Sequence, residues 1–173
     1  LSALSAFSSA VPLASTLVLA VSVAASQRET ATSSGPHRPV STIEDLASGS
    51  FQRVIGDTSG LAPKDARKII LASGKVYYDL AIERDARKAH DVAILRLEQL
   101  YPLGSHVVSA LADYRDGTPL VWVQEEPMNY GGWYFINAKL PELLGGRLPL
   151  SVAARAASSS PATGSKSAHL LEQ

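Results

Sequence analysis

Four places in the sequence carry residue types that could do chemistry. Ser73-Gly74-Lys75 follows an apolar run and precedes a helical pattern. Backbone N–H groups at a helix start attract anions, and a lysine adds a point charge. The alternative is a tight turn with a solvated lysine. The spacing is not that of a phosphate-binding P-loop, which needs a second glycine five residues earlier, where Ile69 stands. Arg96 interrupts an otherwise apolar run, with Glu98 two residues on. A charge inside a buried strand needs a partner or a ligand. It is read either as half of an internal ion pair or as a ligand or subunit contact. Gln124-Glu125-Glu126-Pro127-Met128-Asn129-Tyr130-Gly131-Gly132-Trp133 closes a third apolar run. Glu125 and Glu126 could serve acid–base work, but no His, Ser or metal-ligand spacing accompanies them. Trp133 suits an interface anchor. Arg155 is the one charge in the small-residue segment Ala154 to Gly164, and is either an anion contact or part of a flexible loop. The four histidines, His37, His90, His106 and His169, are scattered with no i,i+3 or i,i+4 pair, so no metal site is expected.

The elements that must position these residues alternate between strand and helix. Strands are expected at Phe51–Ile55, Lys68–Ala72, Asp91–Leu97 and Pro119–Gln124. Helices are expected from Val76 to His90, from an N-capping Ser105 through Val107, Val108, Leu111 and Tyr114, and across Trp133, Ile136, Leu140 and Leu143. Pro141 should bend or split the last of these. A short helix start is expected at Ser165–Gln173. The strands are continuous apolar runs with no in-and-out alternation. That pattern belongs to a mostly parallel sheet covered on both faces, a three-layer α/β fold. The three central strands should run near Leu71, Ile94 and Val121.

Composition narrows the function classes. The 173 residues hold 16 basic and 16 acidic side chains, a formal net charge of zero. That balance argues against a nucleic-acid arm or a polybasic membrane anchor. There are no cysteines, which excludes disulfide scaffolds, cysteine-ligated metals and thiol nucleophiles. Residues 1–27 carry no Lys, Arg, Asp or Glu. This Ser/Ala-rich apolar segment contains a run too short for a membrane span and lacks the basic stretch of a signal peptide. It is open to three readings: mistranslated or mis-spliced sequence, a targeting segment, or a buried element. It is left outside the expected fold. Residues 28–41 read as a linker rich in Ser, Thr, Gly and Pro. The domain is expected over 42–173.

Four motifs then occur in order: Ser-Gly-Lys-Val-Tyr-Tyr-Asp-Leu (73–80), Arg-Leu-Glu-Gln-Leu-Tyr-Pro (96–102), Gln-Glu-Glu-Pro-Met-Asn-Tyr-Gly-Gly-Trp (124–133) and Ser-Pro-Ala-Thr-Gly (160–164). Together with Ser41 to Ile55 they resemble the C-terminal domain of the E1 component of 2-oxoglutarate dehydrogenase, over roughly residues 37–173. The resemblance implies a transketolase C-terminal-like α/β domain from a thiamine-diphosphate-dependent enzyme of the citric acid cycle. Such an enzyme decarboxylates 2-oxoglutarate and passes the succinyl group to the lipoyl arm of E2. It implies a homodimer organised in part by this domain, with thiamine diphosphate and Mg²⁺ held by earlier domains and none here. It also implies an effector site for acetyl-CoA or a nucleotide, with Lys75, Arg96, Gln124 and Arg155 as contacts. No catalytic residue is expected in the chain itself. Trp133, Glu125 and Glu126 are the expected interface residues. The setting implied is the mitochondrial matrix or the bacterial cytoplasm.

The sequence departs from the family pattern at Ala154-Arg155, where Gly-Arg is usual, and at Leu103–His106, which lacks the usual aromatic–proline pairing. No Gly-Asp-Gly with a distant Asn-Asn is present. The expected object is therefore a fragment, catalytically silent without the rest of E1. The rival reading is a stand-alone acyl-CoA- or nucleotide-binding or assembly module. A further rival is a secreted protein with an N-terminal signal.

Overall fold

A computed structural model describes residues 43–161, 164, 165 and 167. The segments 1–27 and 28–41 lie outside the described residues, as does nearly all of the helix start expected at 165–173. The elements, in chain order, are α1 (Ile43–Ser48), β1 (Val54–Ile55), a 3-10 turn at Pro63–Asp65, β2 (Lys68–Ala72), α2 (Val76–Ala86), β3 (Val92–Leu97), α3 (Ser105–Leu111), β4 (Leu120–Pro127), α4 (Trp133–Leu143) and β5 (Leu150–Arg155). The sheet order is β1-β3-β2-β4-β5. β3, β2, β4 and β5 run parallel, and β1 is antiparallel to β3. This is the mostly parallel, three-layer fold that the apolar runs predict.

Successive side chains of a strand point to opposite faces, and both faces here are covered. Ile69, Leu71, Leu95, Leu120 and Trp122 join a cluster with Val107 and Leu111 of α3 and Ile136 and Leu140 of α4. Ile70, Ala72, Ile94, Val121 and Val123 join a second cluster with Val76 and Leu80 of α2. Strands buried on both sides have no polar face to show, hence the continuous apolar runs. Each large side chain so buried contributes about 1.5–3 kcal/mol.

Several elements differ from expectation. β1 is two residues long, not five. α2 stops at Ala86, four residues short of His90, because Lys88 turns left-handed (φ 54°). The Lys88 N–H then donates to the Asp85 carbonyl and the Ala89 N–H to the Arg84 carbonyl, a Schellman closure. Gly104, not Ser105, sits at the N-cap of α3, with no side-chain cap bond. α3 ends at Leu111, and Tyr114 is buried in the turn beyond. Pro141 does not split α4, which continues to Leu143. Pro141 lies in the last turn, and its carbonyl accepts the Gly146 N–H as α4 closes through Gly145 and Gly146. β5 was not anticipated from sequence. It places Arg155 on an edge strand beside β4.

Candidate functional site at the C-terminal edge of the sheet

β2 is followed by α2 on one face, and β4 by α4 on the other. Between these two neighbouring strands the chain therefore leaves the sheet in opposite directions. In open α/β sheets the crevice at such a switch point, at the carboxyl ends of the strands, is where ligands collect. Three of the sequence-derived site residues lie at this edge by register. Arg96 of β3 is the partner of Ala72, the last residue of β2. Ala72 in turn pairs with Val123, the residue before Gln124. Arg155 ends β5 opposite Pro127.

Lys75 stands where β2 turns into α2, after Gly74 at φ 70°. Its Nζ meets Glu125 Oε1 at 2.8 Å. The pair spans the switch point and joins the β2–α2 turn to the end of β4. The lysine side chain is 72 % exposed, so the pair is worth at most about 1 kcal/mol and is readily exchanged for another anion.

Arg96 is held on three sides. Its Nε donates to Glu98 Oε1 at 2.9 Å, and its Nη1 to the Tyr78 hydroxyl at 2.8 Å. The guanidinium lies over the Tyr77 and Tyr78 rings, 5.1 and 5.3 Å from their centroids, within cation–π range. The ion pair with Glu98 is the internal one that the sequence offered as an alternative. Burial works against the Arg96 charge, but the bonds to Glu98 and Tyr78 outweigh it and raise the arginine's affinity for its proton. The tyrosine pair was not singled out from sequence. Its signal was available, since Tyr77 and Tyr78 sit within one turn of Lys75.

Gln124 is buried, and its amide is committed to the protein. Oε1 accepts the Trp122 indole N–H at 2.8 Å and the Trp133 main-chain N–H at 3.0 Å. Nε2 donates to the Tyr130 carbonyl at 2.7 Å and the Pro127 carbonyl at 3.1 Å. The structure thus makes Gln124 a shaper of the edge, with Lys75 and Arg96 more open to a ligand. Glu125 and Glu126 are exposed. Trp133 opens α4 and packs partly against the α3/α4-side core.

The segment after β5 is tied to the same loop. Asn129 Nδ2 donates to the Ser158 carbonyl at 2.8 Å, and the Ser158 N–H donates back to Asn129 Oδ1 at 2.9 Å. The Tyr130 hydroxyl donates to the Ser159 carbonyl at 3.0 Å. Asn129 thus prolongs the sheet with a side chain past the end of its backbone ladder. Its role too was missed from sequence, where nothing distinguishes it from an ordinary turn asparagine.

Among the described residues no group of three His, Asp or Glu side chains could hold a metal ion. His37 and His169 lie outside them. No described helix is long and apolar enough to cross a membrane.

Residues 40–173 match the family described as 2-oxoglutarate dehydrogenase C-terminal. The chain belongs to that family. It is similar to the 2-oxoglutarate dehydrogenase E1 component of Haemophilus influenzae, 44 % identical over 135 residues that make up 78 % of this chain and 14 % of that protein. It is similar to the mitochondrial 2-oxoglutarate dehydrogenase of Caenorhabditis elegans, 41 % identical over 139 residues, 77 % of this chain and 13 % of that protein. It is also similar to a multifunctional 2-oxoglutarate metabolism enzyme of Mycolicibacterium vanbaalenii, 39 % identical over 140 residues, 78 % of this chain and 11 % of that protein. The chain thus spans about one-seventh of the length of the first of these curated relatives. The family members include both bacterial and mitochondrial enzymes.

Proposed function

We propose that the chain serves as the C-terminal assembly and regulatory domain of a 2-oxoglutarate dehydrogenase E1, and that it binds an anionic effector at the sheet edge. The parent reaction is the thiamine-diphosphate-dependent decarboxylation of 2-oxoglutarate, with transfer of the succinyl group to lipoyl-E2. The partners are the remainder of E1, a second E1 subunit and, through the parent, E2. The compartment is the mitochondrial matrix, or the cytoplasm in a bacterium. In this reading thiamine diphosphate and Mg²⁺ belong to the earlier domains of the parent. No step of the decarboxylation is assigned to the described residues.

The observation that carries the regulatory part is the placement of three cationic side chains along the carboxyl ends of the parallel strands. β2 delivers Lys75, β3 delivers Arg96 and β5 delivers Arg155 to one edge. The Lys75–Glu125 pair, exposed and exchangeable, sits at its switch point. Phosphates of an acyl-CoA or a nucleotide are the anions that such cations suit. The assembly part is supported by exposed aromatics at the same end of the molecule, Tyr134 in the first turn of α4 and Tyr101 packed 5.8 Å from Phe135. Trp133, Glu125 and Glu126 complete that surface in this reading.

The test is equilibrium binding of ADP and of acetyl-CoA to the full chain and to its Lys75→Ala and Arg96→Ala variants. Loss of one charge-assisted phosphate contact should weaken binding about tenfold. Equal affinity in all three proteins would remove the effector site from this edge. In the same samples, turnover of 2-oxoglutarate with added thiamine diphosphate and Mg²⁺ is expected to be nil. Measurable turnover would overturn the reading of the chain as a silent domain.

A further inference from the structure

The β4–β5 ladder is regular to Val123 and irregular from there to Pro127. Gln124, Glu125 and Glu126 are therefore not pinned by the ladder that holds the rest of β4. The Gln124 side chain fills the gap. Its oxygen accepts two N–H groups, and its nitrogen donates to the carbonyls of Tyr130 and Pro127. One of the accepted N–H groups, that of Trp133, is an orphan donor of the first turn of α4. The N-cap residue, Gly132, has no side chain to cap this turn. A carboxylate could accept both N–H groups but could not donate to either carbonyl. The loop is moulded on the amide as well. A Cβ at Gly131 (φ +67°) would come within 3.0 Å of both amide heavy atoms, and one at Gly132 within 3.1 Å of the Trp122 ring.

We propose that Gln124 is a positioning residue that transmits the state of the Lys75–Glu125 pair to the start of α4. Glu125 is the next residue along the chain, and its carboxylate is the group that holds Lys75 across the switch point. When Lys75 leaves Glu125 for another anion, Glu125 loses its tether in a segment that the β4–β5 ladder does not fix. Gln124 carries the displacement to its two N–H partners, the Trp122 indole and the Trp133 amide. Trp133 is then the outlet, at the head of α4 beside the exposed Tyr134. The reading of the edge as an effector site supplies the physiological trigger. The coupling itself needs only the ion pair.

The experiment follows the Trp122 indole N–H and the Trp133 main-chain N–H of the full chain by nitrogen–proton correlation spectroscopy. Lys75→Ala removes the ion pair at an exposed position and should leave the fold intact. Both resonances are expected to shift on that substitution, and Gln124→Glu should shift them by itself and abolish any further response to Lys75→Ala. Unmoved resonances in Lys75→Ala, with changes confined to the neighbours of residue 75, would overturn the proposal. So would an equal Lys75→Ala response in a folded Gln124→Glu background. If Gln124→Glu fails to fold, the single Lys75→Ala spectrum still decides. Addition of ADP separates the two readings: should ADP move neither resonance nor bind, while Lys75→Ala moves both, the effector reading fails and the coupling stands.

Discussion

Asp57 and Arg84 meet at 2.6 Å with side chains only 5 % and 7 % exposed. Their pairing completes an edge that the backbone leaves open. β1 covers β3 only at Leu97 and Arg96. Two residues further along, the Ile94 N–H has no strand to meet, and Asp57 Oδ1 accepts it at 3.0 Å. One carboxylate thus answers a helix arginine and a strand amide together.

Removing that carboxylate strands both partners. Breaking a buried pair from one side costs about 3–5 kcal/mol, and here a strand N–H is orphaned as well. Asp57→Ala should fall in that range by urea unfolding at neutral pH. A cost under about 1 kcal/mol, the worth of an exposed pair, would show that the pair is not held in solution.

The same group sets an acid limit. Burial opposes ionisation of Asp57, but the bonds from Ser59 and the Ile94 N–H, with the Arg84 charge, overcome it and hold the carboxyl below its ordinary 3.8. The hydrogen bond from Arg67 lowers Asp91 likewise. The unfolded chain then binds more protons than the folded one as pH falls below 3.8. Stability from these groups is complete above that value and is lost as pH drops through the folded pKa values. Unfolding midpoints measured down a pH series should decline below pH 4 or so, less steeply in Asp57→Asn. An unchanged slope in that variant would assign the acid sensitivity elsewhere.

Arg147 closes the far end of α3. Its Nη1 donates to the Leu111 carbonyl at 2.8 Å, and its Nη2 to those of Ala112 and Tyr114, while Nε pairs with Asp116. The Leu111 and Ala112 carbonyls belong to the end of α3 and that of Tyr114 to the turn beyond it, so the guanidinium supplies donors where the helix ladder runs out. Arg147→Ala should cost about 1–3 kcal/mol. Arg147→Lys should recover only part of it, because an ammonium lacks the planar fork. Full recovery by lysine in thermal unfolding would mean that charge alone matters there.

The sheet was legible where burial leaves no choice. β2, β3 and the first part of β4 are apolar on both faces, and they start within a residue of the runs in the sequence, although β4 continues to Pro127, three residues past the expected Gln124. β5, with its Ser and Ala residues, lies at the edge and is only half-buried, so its sequence resembles a loop. The end of α2 was hidden because Lys88 takes a left-handed turn that glycine usually fills. Lys75 and Arg96 were visible as charges beside apolar runs. Their partners were not: Glu125 reaches Lys75 only after β4 is placed beside β2. The role of Gln124 was the least legible, since its bonds depend on the path of the loop that folds around it.

Trp122 and Trp133 are the only tryptophans in the chain, and both donate an N–H to the same Gln124 oxygen. The protein therefore carries its tryptophan fluorescence at one junction, where β4, the loop after it and the start of α4 meet at Gln124. An optical melting curve will record when that loop opens, and will stay blind to β1, to the Asp57–Arg84 pair and to the far end of α3. A comparison with far-ultraviolet dichroism, which sees every helix and strand, would show whether the loop opens with the sheet or before it.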